Sequence, residues 1–238
     1  MPVARAPVLL LHGVPTSGRL WDGVLPHLGD FDVHAPDLPG YASAPHVAGV
    51  DAQVAALAAL GLDRPHLVGH DWGGVLAALY AEQHPVSSLT LTSTWLGWGW
   101  IGAKLTAMPG LELFFYRAFG GRLWLERGIS AEKRAAFVAS MPLPKDMPAR
   151  MRRTAHEIPM RRLAALKLDV PVMCLWGRDD QFVLPAQARE LTRRLDGRFH
   201  SLPGRHYVMV DDPAGYAAAL KAFWGERVPL RNNRDKPS

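Results

Sequence analysis

Gly69-His70-Asp71-Trp72-Gly73-Gly74 follows the apolar run His66-Leu67-Val68 and leads into Gly74 to Glu82, where apolar residues recur at helical spacing. A strand entering a helix through a turn this rich in glycine has the layout of a nucleophile elbow. Small residues on either side let the backbone take a strained conformation, so the middle side chain stands clear and the next N–H faces a reacting oxygen. Here the middle side chain is the carboxylate of Asp71. The plainer alternative is an aspartate that caps the following helix.

Working outward, short Val/Leu-rich runs alternate with helical patterns, which predicts parallel strands joined by crossover helices. The strands are expected at Pro7 to Leu11, Phe31 to Ala35, His66 to Gly69, Leu89 to Ser93, Val170 to Trp176 and Phe199 to Leu202. Helical spacing runs through Leu20 to Leu28, Val50 to Leu60, Gly74 to Glu82, Pro185 to Leu195 and Pro213 to Trp224. The fold class is therefore α/β, a mostly parallel sheet with helices on both faces. From Trp95 to about Leu168 the pattern breaks into short helical segments with many aromatics and no strand. An insertion there would lie over the carboxyl ends of the strands, where ligands of open α/β sheets bind. The expected organisation is a core of residues 1–94 and 169–230, a helical lid of residues 95–168, and a disordered tail from 231 to 238.

Composition narrows the function classes. With 238 residues, 48% hydrophobic and 21% charged, the chain can bury one large core. The net charge of +5 comes from scattered Lys and Arg, apart from Arg150, Arg152, Arg153, Arg161, Arg162 and the basic tail. This reads as solvated surface, so no nucleic acid is expected as partner. No apolar run is long enough for a bilayer, and the opening MPVARAPVLLLHG lacks a secretory layout, so a cytoplasmic protein without a membrane partner is expected. Cys174 is the single cysteine and is read as core packing; no metal site is suggested.

Two further constellations follow strands. After Leu175-Trp176 comes Gly177-Arg178-Asp179-Asp180, and after the last strand comes Pro203-Gly204-Arg205-His206-Tyr207. Carboxylate, acid and histidine thus occur in the order of a triad carried at strand ends. After the first strand, Leu11-His12-Gly13-Val14-Pro15-Thr16 can bring the backbone N–H of Val14 opposite that of Trp72, forming an oxyanion hole. His12 is read as a brace for that loop, and Asp37 as a turn former.

These stretches, with Asp37-Leu38-Pro39-Gly40-Tyr41 and Pro213, resemble the α/β-hydrolase superfamily over nearly the whole chain. The aspartate elbow resembles its branch of epoxide hydrolases and haloalkane dehalogenases. By that resemblance Asp71 is the nucleophile, His206 the base and Asp180 the acid that orients it, with Asp179 as the fallback. The family usually places an antiparallel strand pair before the first of these strands; here it is missing, and a shorter sheet is expected. The lid is also small for the branch.

Aspartate selects the chemistry. A carboxylate attacking an ester would form an anhydride no more stable than the substrate, whereas displacement at a saturated carbon leaves an alkyl ester that water can cleave. The expected substrate is a small apolar organic molecule, with water as co-substrate and no metal or organic cofactor. An epoxide is placed slightly ahead of a haloalkane because of Gly40-Tyr41 and Tyr116, the one tyrosine of the predicted lid, which could equally be packing. Thr16, Ser17, Leu20 and Trp21 resemble the dehalogenase form of their loop. Trp72 stands where dehalogenases bind halide, and Trp95, Trp98, Trp100 and Trp124 are candidates for a second indole donor or for core. A non-catalytic ligand-binding protein on the same fold is the alternative from another class.

Overall fold

The computed structural model describes residues 5–97 and 121–225. Six strands form one sheet: β1 (Pro7–Leu11), β2 (Asp32–His34), β3 (His66–His70), β4 (Ser88–Thr92), β5 (Val172–Gly177) and β6 (Arg198–Leu202). Their order is β2-β1-β3-β4-β5-β6, and every pairing is parallel. Each of the six lies within two residues of its expected position, because parallel strands covered on both sides are near-continuous apolar runs and stand out in a sequence. Among the described residues no strand precedes β1.

Alternate side chains of the strands feed two cores. Leu9, Leu11, Leu67, Leu89, Leu91 and Cys174 pack on one face, with α1 (Val50–Ala58), α2 (Trp72–Gln83) and α7 (Pro185–Arg194). Val8, Leu10, Val68, Met173 and Leu175 pack on the other, with α8 (Val208–Asp211) and α9 (Pro213–Gly225). Cys174 is fully buried, and burial pushes its thiol up to about 11, so it serves as the packing residue it was read to be.

Between β4 and β5 the described chain holds α3 (Gly121–Arg127), α4 (Arg134–Ser140), α5 (Met147–Glu157) and α6 (Met160–Ala165). Helix α5 buries Met147 and Met151 in the first core. Residues 98–120, which include Trp98, Trp100 and Tyr116, lie outside the described residues, as does the tail from 231 to 238. Among the described residues no helix is long and apolar enough to cross a membrane.

One expectation is corrected. Leu20 to Leu28 has apolar residues at helical spacing, and Leu20, Trp21, Val24 and Leu28 are indeed buried, but the backbone forms two 3₁₀ turns, Gly18–Trp21 and Leu25–His27. Pro26 lacks the N–H that a continuous helix would need.

Candidate active site

The order of strands reverses direction at β1 and β3, and the crevice beyond their carboxyl ends is where an open α/β sheet exposes backbone donors. Asp71 sits there, between β3 and α2, with φ +50° and ψ −119°, a conformation that costs an ordinary residue on the order of 1–3 kcal/mol. Surrounding bonds hold it: Asp71 N–H donates to Thr92 O at 3.1 Å, while Asp71 O accepts from Gly74 N–H at 3.0 Å and from the Thr94 hydroxyl at 2.7 Å. Close packing makes small residues necessary next to it. A Cβ on Gly73 would collide with the carbonyls of Leu11 and His12, and one on Gly74 with the Thr94 hydroxyl. No side-chain bond from Asp71 caps α2, so the capping alternative fails.

The loop after β1 brings one backbone donor to Asp71. Val14 N–H reaches Asp71 Oδ1 at 3.0 Å. Burial pushes the Asp71 carboxyl above its ordinary value, partly offset by the His206 charge and by the N–H groups of Val14 and Trp72. His12 braces this loop: its Nε2 accepts Leu38 N–H at 2.8 Å, so its Nδ1 carries the proton and donates to Gly13 O at 2.9 Å. Burial lowers it to about 4, so it stays neutral.

His206 follows β6 and faces Asp180, with Nδ1 3.2 Å from Oδ2 and 3.3 Å from Oδ1. Asp180 in turn accepts Phe182 N–H at 2.9 Å and Val183 N–H at 3.1 Å. Burial would raise its carboxyl, but the imidazolium and these donors outweigh that and hold it below the usual range. Burial likewise lowers His206, and the carboxylates of Asp180 and Asp71 reverse the sign and raise it. The two possible acids are thus separated: Asp179 is exposed, while Asp180 is buried against the histidine.

Above Asp71 lies a cavity of about 70 Å³, walled by Val14, Trp72, Val75, Trp95, Trp124 and Met151 among others. Trp72 and Trp95, expected as substrate contacts, are both in its wall, as is Trp124, which stacks on Phe182 at 4.8 Å. The Trp72 indole N–H is buried with no hydrogen-bond partner among the described residues. Thr154 of α5 was missed by sequence reading. It lines the cavity, and its hydroxyl lies 2.6 Å from that of buried Tyr41. Nothing in its local sequence marks it, because the pairing joins residues 113 positions apart. Among the described residues no cluster of three or more His, Cys, Asp or Glu side chains could hold a metal ion.

Residues 8–219 match the model of the alpha/beta hydrolase family. The chain belongs to that family. Members of the alpha/beta hydrolase family are hydrolases, and this one is similar to relatives of more than one activity. It is 27% identical to a haloalkane dehalogenase from Mesorhizobium japonicum, over 96% of this chain and 87% of the relative. It is 40% identical to Lipase LipV from Mycobacterium tuberculosis over 99 residues, which span 38% of either chain. A thermophilic esterase from Thermogutta terrifontis superposes with a TM-score of 0.76 at 23% identity, over 92% of this chain and 89% of the esterase.

Proposed function

We propose that this alpha/beta hydrolase cleaves a bond at an electrophilic saturated carbon through a covalent alkyl ester on Asp71. The observation that carries the reading is the identity and setting of the elbow residue: a carboxylate on a strained turn, held by Val14 N–H at 3.0 Å, beside a buried His206–Asp180 pair. In the first step an Asp71 oxygen attacks the carbon and the leaving group departs with its electron pair. In the second, His206 takes a proton from water as the oxygen of that water adds to the Asp71 carbonyl carbon, with the Val14 and Trp72 N–H groups on the oxyanion. Collapse of the tetrahedral intermediate expels the alkoxide, which takes the proton held by His206, and the Asp71 carboxylic acid left behind loses its own proton to solvent, restoring the carboxylate. The same elbow argues against the esterase and lipase activities of some relatives, since acyl transfer to a carboxylate yields an anhydride.

The cavity wall bears on the leaving group. A halide requires only weak donors, and the Trp72 indole N–H, without a partner among the described residues, is such a donor at an apolar site, which moves the preference to a haloalkane. The extensive likeness to a haloalkane dehalogenase agrees with it. An epoxide is the second reading, favoured by the Thr154 hydroxyl backed by Tyr41, because an alkoxide needs a hydroxyl-type donor.

His206→Ala should retain alkylation and lose hydrolysis. Mass spectrometry of the intact variant after incubation with small haloalkanes and epoxides should show the enzyme plus an alkyl group without halogen. An increment of the whole epoxide would establish the second reading, and an unmodified mass with every compound would refute the ester mechanism.

A further inference from the structure

The backbone carbonyl of His206 is held from two sides by side chains. His70, at the end of β3, places Nε2 at 3.2 Å from it, and Ser93, just after β4, donates its hydroxyl at 3.0 Å. Both side chains belong to fully buried residues, and neither contact is needed to form the sheet. A carbonyl only accepts, so Nε2 of His70 carries the hydrogen and Nδ1 is left as a bare lone pair, buried and without a partner among the described residues. The His70 ring also lies edge-on to the His206 ring, with centroids 4.7 Å apart. Leaving a buried lone pair unmatched destabilises the fold, which an apolar residue at position 70 would avoid. The donor that the histidine offers at that cost goes to the loop that carries His206.

We propose that His70 and Ser93 are positioning residues: their two donors fix the backbone at His206 so that its ring keeps its contact with Asp180 and its aim at Asp71. The inference rests on the proposed role of His206 as base. Geometry of this kind matters because the His206–Asp180 contact, at 3.2 and 3.3 Å, is already long for a charge-assisted bond and has little slack to lose. His70 suits the task because it stays neutral. Burial pushes it far below the ordinary histidine range, and the neighbouring His206 and His12 push in the same direction. A second cation there would oppose the imidazolium that forms in each cycle. The groups facing His206 are thus Asp71 from the elbow, Asp180 from the loop after β5, neutral His70 from β3 and Tyr207 beside it.

The test is the titration of the His206 ring followed by NMR in the full chain, for wild type, Ser93→Ala, His70→Phe and His70→Gln. This readout needs no substrate, so it stands apart from the adduct experiment that tests the ester mechanism. In wild type, His206 should titrate above its ordinary value of 6.5. Ser93→Ala and His70→Phe should bring it back towards that value by about half a unit or more as the Asp180 contact loosens. His70→Gln, whose amide N–H can replace the Nε2 donor, should restore most of the shift. With a substrate that alkylates Asp71, the two donor-less variants should slow ester hydrolysis about tenfold and leave alkylation unchanged. Wild-type titration of His206 in folded Ser93→Ala would overturn the proposal, even where His70→Phe does not fold. Equal effects of His70→Phe and His70→Gln would overturn the part assigned to the His70 donor.

Discussion

Asp71 combines three things that oppose stability: a positive φ, complete burial of its carboxyl and a raised pKa. On folding, the proton affinity of this group rises, so its ionisation works against the native state. That cost is complete above the raised value and disappears as pH falls below the ordinary 3.8. Asp71→Asn keeps the shape without the charge, and it should raise the unfolding free energy at neutral pH by about 1 kcal/mol, an increment common when a strained functional group is relieved. The gain should vanish in acid. Denaturant melts of both proteins at neutral and acid pH check this, and a destabilised Asp71→Asn at neutral pH would contradict it. The elbow was legible in sequence because a glycine-rich turn between an apolar strand and a helix marks it, and the capping alternative needed the structure to be set aside. Thr154, Tyr41 and Ser93 were not legible in their roles, because each acquires meaning only from a partner more than a hundred positions away.

At the scale of elements, the join between β3 and α2 is so tight that α2 begins against the backbone of β1. Gly73→Ala would drive a Cβ into the Leu11 and His12 carbonyls, which belong to the buried end of β1 and its donor loop. It should cost about 2–4 kcal/mol and pull the Val14 donor away from Asp71. Gly29→Ala, at an open position with nothing within 4 Å, is the control and should change stability by no more than about 0.5 kcal/mol. Urea midpoints of the two variants separate these outcomes; similar midpoints would mean that the approach of α2 to β1 is not a constraint. The strands and the sheet helices were readable because burial on both faces imposes long apolar runs and clean periods. The stretch from Leu20 to Leu28 was less so, because 3₁₀ turns and a helix both bury Leu20, Trp21, Val24 and Leu28. What periodicity reports is the buried face, and the hydrogen-bond pattern beneath it depends on single residues such as Pro26.

For the whole molecule, the His206–Asp180 pair sets two pH dependences that run in opposite directions. Asp180 is lowered on folding, so its contribution to stability holds above its ordinary 3.8 and is lost as pH falls through the lower folded value. His206 is raised, so its contribution is complete below 6.5 and is lost as pH rises through the higher folded value. The stability difference between wild type and His206→Gln should therefore be greatest between those two ordinary values and shrink on the alkaline side. Turnover needs the neutral ring, so the hydrolysis rate should climb over the same alkaline range in which that stability is given up. Thermal melts and rate profiles on one set of buffers would show the crossing, and parallel profiles would count against His206 as base.

The chain leaves the sheet at Thr92 and returns to it at Val172 on the adjoining strand, where Leu89 already pairs with Val172. Exit and entry lie on neighbouring parallel strands, the one at a carboxyl end and the other at an amino end, so the intervening segment must cross from one end of the strands to the other; any counterpart from a cousin that makes the same crossing, whatever its length or shape, could be spliced in without shifting a strand's register. Selection for new substrates can then act on the roof of the site while the machinery below it is inherited intact, and chimeras joined at these two seams offer the same shortcut at the bench.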